Sequence, residues 1–321
     1  MAYLGFDTSN YTTSVAFYYP EENIIAHRKK LLPVKEGEKG LRQSDAVFHH
    51  TIQLSQMAES LFEEVKVEID GIGASAFPRM TEGSYMPCFL VGLNTAKVMS
   101  SAFGKKLQIT SHQNGHIVAA LYSADSLHLL KERFIAFHVS GGTTEVLLVE
   151  PDDSEVINCS LIASSLDLKA GQAIDRAGVM MGLRFPCGAE MDKLSKESNR
   201  AFGKIKVYSK GNNISLSGLE NKCRKMYEDG ESAEDISKFC FEYICAALDL
   251  MTERIIGEYG ELPILYSGGV MSNSLIKERL SKKYNGIFAT PEFSSDNAAG
   301  VAILTYLKEK TDVNRFKGIT D

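Results

Sequence analysis

The chain has 321 residues, 44% of them hydrophobic, with a formal net charge of −6 and a pI near 5.7. That length and apolar content can fill two α/β lobes, and the acidic balance excludes a protein that coats nucleic acid by bulk charge. No run approaches the roughly 20 apolar residues of a membrane span. The opening residues have no basic or apolar leader pattern, and the six cysteines form no CxxC pair. These features lead us to expect a cytoplasmic protein with reduced thiols and no membrane contact.

Residues 3–19 read as strand, hydroxyl-rich turn and strand. Apolar residues at helical spacing mark a helix over 40–67, followed by a strand at 69–76 and a loop at 78–87. A second helix spans 88–103 and ends at Gly104, a plausible C-cap. A short strand at 106–110 leads into Ser111-His112-Gln113-Asn114-Gly115-His116, the head of an apolar helix. At 134–150 the chain repeats its opening: strand, Ser140-Gly141-Gly142-Thr143-Thr144 turn, strand. The recurrence predicts a duplicated α/β lobe and a cleft between two copies, a usual place for ligands. We place the division after residue 110, with 1–110 as one lobe and 111–321 as the other. Helices follow at 167–181, 233–258, 273–282 and 298–308, with a turn at 185–188, strand and loop over 204–218, and strands at 262–266 and 287–290. Strands alternating with helices indicate α/β architecture.

Four features carry chemistry. His112 and His116 lie four apart, on one face of a helix, so both imidazoles can reach one metal ion. A third ligand must come from elsewhere, most reasonably an Asp or Glu. The adjacent His49 and His50 form a weaker pair, because neighbouring helical residues face different ways. Ser140-Gly141-Gly142 and Ser267-Gly268-Gly269 each follow an apolar strand. Their glycines let backbone approach a phosphate closely, and the second opens a helix whose dipole favours an anion. Asp296 stands before the last helix, where it could cap the helix or bind metal. Asp175, an acid among apolar helix neighbours, could pair with Arg176 or Lys169, or accept ribose hydroxyls.

In this order the motifs resemble the TsaD family of tRNA threonylcarbamoyltransferases, once labelled O-sialoglycoprotein endopeptidases and grouped as M22 glycoproteases. The likeness runs over nearly the whole chain. Asp7-Thr8-Ser9 resembles the family's opening E-T-S, and residues 90–97 its L-x-V-G-x-x-x-A-K helix. His112-Gln113-Asn114-Gly115-His116 matches H-x-x-G-H, and His138-Val139-Ser140-Gly141-Gly142-Thr143 resembles V-S-G-G-H-T. Residues 170–176 are similar to A-G-E-A-F-D-K, Pro186-Cys187-Gly188 to P-G-G, and residues 215–219 to F-S-F-S-G-L-K. Residues 267–273 match G-G-V-A-x-N, and residues 295–299 match T-D-N-A-A.

The resemblance implies an actin-like ATPase fold, shared with sugar kinases and Hsp70, in which two duplicated α/β lobes flank a central nucleotide cleft. It implies one divalent metal, iron or zinc, on His112, His116 and Asp296. It implies an adenine nucleotide, threonylcarbamoyl-AMP or ATP/ADP, held by His138, Val139, Ser140, Gly141, Gly142, Asp175, Gly188 and Asn273. The implied reaction moves a threonylcarbamoyl group from threonylcarbamoyl-AMP to the adenosine beside the tRNA anticodon. Partner subunits of that pathway would help hold the tRNA, in a homo- or heterodimeric assembly.

The pattern departs from the family at several acids. The family's C-D-E-T is Asn10-Tyr11-Thr12-Thr13 here, the Glu of A-G-E-A is Gln172, and the His of V-S-G-G-H-T is Thr143. The loop at 78–87 lacks G-P-G-L, and the acidic pair before the 167–181 helix is reduced to Asp167. Two other readings therefore stand beside the transferase: a diverged, non-catalytic paralogue that binds nucleotide and partners, or a carbamoyltransferase acting on a small molecule. No catalytic residue is assigned from the sequence. A protease is disfavoured because H-x-x-G-H lacks the glutamate of H-E-x-x-H, and a kinase because paired histidines are not how magnesium is held.

Overall fold

The structure is a computed structural model describing residues 1–9, 11–33 and 41–317, with side chains up to 311. Asn10, in the expected opening turn, and Gly40, at the head of the expected first helix, lie outside the described residues.

The chain packs as two compact units. One holds residues 1–131, 150–159 and 292–321, the other 132–149 and 160–291. This differs from a division after residue 110. The histidine helix stays with the first unit, and the last helix returns to that unit's sheet. A linear boundary in sequence cannot register such a return.

The first unit is built on β1 (Ala2–Asp7), β2 (Thr12–Tyr19), β3 (Ile24–Leu31), β4 (Ile69–Phe77) and β5 (Leu107–Ser111), in the order β3-β2-β1-β4-β5. β1, β2 and β3 form an antiparallel meander, and β4 and β5 add in parallel. The helices are α1 (Gln43–Glu64), α2 (Phe89–Phe103), α3 (His112–Ser123) and, at the end of the chain, a long terminal helix. Gly104 ends α2 with the left-handed backbone expected of a glycine cap (φ 61°, ψ 31°).

The second unit repeats this plan. β6 (Phe134–Val139), β7 (Thr144–Asp152) and β8 (Val156–Ser164) come first, followed by α4 (Ala170–Met180) and α5 (Gly188–Glu197). Two short strands, β9 (Ser209–Lys210) and β10 (Asn213–Ile214), precede α6 (Ser217–Glu228) and α7 (Ala233–Tyr259). β11 (Ile264–Ser267), α8 (Ser274–Tyr284) and β12 (Ile287–Phe288) complete it, and α9 (Ala299–Lys317) is the terminal helix of the first unit. The second sheet has the order β12-β11-β6-β7-β8, with β6 antiparallel to β7 and parallel to β11. Matching β1 to β6, β2 to β7, β3 to β8, β4 to β11 and β5 to β12 superposes the two strand orders. The repeat legible in residues 12–15 and 143–146 is therefore a duplication of whole sheets.

Each unit has its own apolar interior. In the first, Leu4, Phe6, Phe17 and Ile72 meet Leu54 and Leu61 of α1. In the second, Phe137, Val146 and Tyr266 meet Ile174, Phe241 and Leu248. Among the described residues no helix is long and apolar enough to cross a membrane, and all six cysteines are free.

Candidate functional site

In the first unit β5 runs directly into α3, so His112 is the first residue of that helix. The turn is fixed by Ser111, whose hydroxyl accepts from the Asn114 N–H at 3.1 Å, an N-cap. Asn114 also points inward, donating from Nδ2 to the Ile157 carbonyl at 2.9 Å. One turn of helix brings the His112 and His116 rings to a centroid separation of 4.3 Å.

The third group arrives with α9. The Asn297 side chain accepts from the Ala299 N–H at 3.0 Å. Asn297 thus takes the capping part that Asp296 could have played, and Asp296 faces the histidines. Its Oδ1 lies 2.8 Å from His116 Nε2 and 3.6 Å from His112 Nε2. The loop before it is pinned to β3. Lys29 donates to the Glu292 carbonyl and, at 2.9 Å, to the Ser295 hydroxyl, and the His27 ring stacks on Phe293.

The approach of α9 to α3 depends on glycine at position 300. A Cβ on Gly300 would lie 1.8 Å from the Gly115 carbonyl oxygen and 2.9 Å from the Ala119 nitrogen. Gly115 faces α9 less tightly, since a Cβ there would come nearest a Val301 methyl, at 3.3 Å.

His112 and His116 supply ring nitrogens and Asp296 a carboxylate oxygen, all within 4.8 Å of one another; among the described residues they are the group with that metal-ligand potential. The donor set suits the ion. Two imidazoles and a carboxylate leave a fourth position open, as in catalytic zinc or iron sites. Tetrahedral ligands at ~2.1 Å from a metal stand about 3.4 Å apart, a spacing that the two Asp296–histidine distances of 2.8 and 3.6 Å bracket. His49 and His50 do not compete: His50 is buried, with its Nδ1 2.8 Å from the Thr13 hydroxyl, while His49 lies against Phe48.

A residue outside the expected set joins this group. Asp7, at the end of β1 and 1% exposed, accepts from His112 Nδ1 at 2.8 Å and from the Ser9 N–H at 2.9 Å. Its sequence signal was limited to its place in the E-T-S-like opening, because 105 residues separate it from His112. Burial alone would raise the Asp7 carboxyl, but the His112 imidazole outweighs it and holds the group below its ordinary range. Burial alone would lower His112, yet Asp7 and Asp296 push it up to about 10. Asp296, which burial would raise, is held well below the usual carboxylate range by both histidines. His112 would have to give up its Nε2 proton to serve as a ligand, so metal binding here would release a proton.

The remaining expected residues lie in the second unit. Ser267 pairs with His138 across the parallel β6–β11 ladder, so the two Ser-Gly-Gly stretches leave adjacent strands side by side. Gly268, at φ 99°, has Val139 against it: a Cβ there would lie 2.3 Å from the Val139 oxygen. The Ser140 carbonyl accepts from the Gly171 N–H at the start of α4, 3.1 Å away, and Gly141 and Gly142 have open space above them. Asp175, raised by burial, accepts from the Cys187 N–H at 2.8 Å, beside Gly188. It does not pair with Arg176, which bonds Glu220 at 2.8 Å. The Asn273 side chain caps α8 by accepting from Ile276 N–H at 3.0 Å and donates to Asp192.

Comparison with known proteins adds to this geometry. The family model described as "TsaD: tRNA N6-adenosine threonylcarbamoyltransferase" matches residues 22–303. A tRNA N6-adenosine threonylcarbamoyltransferase from Thermosipho africanus is 30% identical over 98% of this chain and 96% of its own. The Streptococcus pneumoniae protein of the same name is 27% identical over 93% and 90%. Among solved structures, HypF from T. kodakarensis superposes with a TM-score of 0.62 at 13% identity, covering 98% of this chain and 48% of that one. The two matching sheets and this superposition identify the fold as the actin-like ATPase fold.

Proposed function

This chain belongs to the TsaD family of tRNA N6-adenosine threonylcarbamoyltransferases, and from that premise we propose that it performs the family's transfer with one divalent ion, iron or zinc, on His112, His116 and Asp296. The donor is threonylcarbamoyl-AMP and the acceptor the exocyclic amine of the adenosine beside the tRNA anticodon. The convergence of two imidazoles from α3 and a carboxylate from the head of α9 carries this reading.

When bound, the ion would supply Lewis-acid polarisation of the carbamoyl group or its threonine carboxylate. The protein's own contribution is to hold three donors in place through the Ser111 cap, the Asn297 cap and the glycine crossing of α3 and α9. In the second unit, the open backbone at 141–142 and the start of α5 at Gly188 offer N–H groups to the AMP phosphate. Asp175 offers a carboxylate to the ribose hydroxyls. The net charge of −6 leaves tRNA binding to partner subunits, and the setting is cytoplasmic.

The test is reconstitution of the full chain with partner subunits of the pathway, synthetic threonylcarbamoyl-AMP and unmodified tRNA, read by mass spectrometry of the released nucleosides. Modified adenosine, lost in Asp296→Ala, supports the reading. Continued absence of product with metal-loaded protein and proven partners refutes it and leaves a non-catalytic paralogue. Carbamoyl transfer to small molecules without tRNA would instead identify a different acceptor.

A further inference from the structure

The metal reading above leaves one buried charge without a task. Asp7 is not a candidate ligand, since its oxygens face His112 Nδ1 and the Ser9 N–H and are both in use. The His112 ring is therefore bonded on one side to β1 and turned on the other towards Asp296 and His116. We propose that Asp7 is the positioning residue of the metal centre: by accepting the Nδ1 proton it keeps the lone pair of His112 on Nε2, the nitrogen that faces the other two donors. This inference rests on the metal reading but makes a separate claim, about which nitrogen binds and what holds it there.

The chemistry follows from counting acceptors. A neutral imidazole carries its proton on one nitrogen and its lone pair on the other. A carboxylate at Nδ1 accepts only, so it selects the Nδ1–H form. Such outer partners typically change metal affinity 10–100-fold when removed. Asparagine at position 7 keeps shape but has one acceptor oxygen for two donors. If that oxygen stays with the Ser9 N–H, the amide NH2 faces His112 and favours the tautomer with Nε2 protonated, which has no lone pair to offer on the side of the other two donors. If it turns to His112, the buried Ser9 N–H faces an NH2 group and loses its partner. Glutamate keeps two acceptor oxygens.

The experiment compares full-length wild type, Asp7→Asn, Asp7→Glu and His112→Ala by zinc titration against a chromophoric chelator and by the visible spectrum of the cobalt-loaded protein. We expect Asp7→Asn to bind zinc roughly 10–100-fold more weakly, with an altered cobalt spectrum. Asp7→Glu should lie nearer wild type, and His112→Ala should lose the site. A purely structural Asp7 would lower thermal stability without moving the cobalt spectrum, and wild-type affinity and spectrum in Asp7→Asn overturn the inference. Long-range proton–nitrogen NMR of zinc-loaded wild type gives the answer even if the variants fail to fold. It should show His112 protonated at Nδ1 and metal-bound at Nε2; metal at Nδ1 overturns the proposal. Failure of the metal reading looks different, because wild type and His112→Ala would then bind zinc alike.

Discussion

Gly300→Ala is the sharpest test of how the fold assembles the metal group, because the substitution adds one methyl at the helix crossing and alters none of the three donor side chains. The added Cβ would begin 1.8 Å from the Gly115 oxygen, and real Cβ contacts essentially never fall below 3.0 Å, so α9 and α3 must separate locally by at least 1.2 Å. The obstacle is backbone on both sides, so no rotamer change relieves it. Overpacking of this kind costs ~1–3 kcal/mol or more, and each kcal/mol shifts Tm by about 2–4 °C in a domain of this size. We therefore expect Tm to fall by roughly 2–12 °C. The same displacement moves the helix bearing both histidines away from the helix headed by Asp296. Metal ligands tolerate errors of only about 0.2 Å, so zinc affinity should fall at least tenfold. Gly115→Ala is the control: its Cβ would meet the Val301 methyl at 3.3 Å, a contact a side chain can relax, and it should cost less on both measures. Thermal denaturation and chelator-competition titration read the two effects. A Gly300→Ala protein with wild-type Tm and zinc affinity would refute the reasoning that this crossing sets the geometry.

Three further outcomes follow from the second unit. Gly268→Ala must hold alanine at φ 99° with its Cβ 2.3 Å from the Val139 oxygen; it should destabilise by at least ~1–3 kcal/mol in denaturant melts, and neutral stability would show that the loops after β6 and β11 can part freely. Asp175→Ala should weaken adenine-nucleotide binding by roughly tenfold, the scale of a charge-assisted hydrogen bond, in calorimetry with AMP; unchanged affinity would remove Asp175 from the ribose site. Asp167 accepts from the Ser215 hydroxyl at 2.5 Å and the Leu216 N–H at 2.8 Å; burial would raise it, but these bonds bring it down to about 2. Its folded value lies below the unfolded one of ~3.9, so its stabilisation is present above pH ~4 and lost as pH falls towards 2. The stability gap between wild type and Asp167→Asn should therefore shrink over that window, and a constant gap would contradict it.

Much of this arrangement was legible in the residues. The strand–turn–strand repeat, the i, i+4 histidines and the long apolar pattern of α7 each follow a period that local geometry imposes. Other elements were not legible. β3 carries His27, Arg28, Lys29 and Lys30 on a partly exposed sheet edge, and β8 has no clean alternation, so neither stands out as a strand. α5 and α6 bury only Met191 and Ser195, and Leu219 and Cys223, too few apolar positions to mark a helix face. The return of α9 to the first unit, the glycine crossing and the Asp7–His112 bond are long-range facts. No spacing within a window of sequence encodes them; they become visible only when strands from opposite ends of the chain share a sheet.

In the proposed function α3 and the head of α9 together hold one ion. Metal analysis of the purified protein, prepared without oxygen and beside His112→Ala, decides this. About one equivalent of iron or zinc per wild-type chain is expected, with nearly all of it lost in the variant. A wild-type protein that stays metal-free when offered both ions, or a variant that retains the full equivalent, would contradict it.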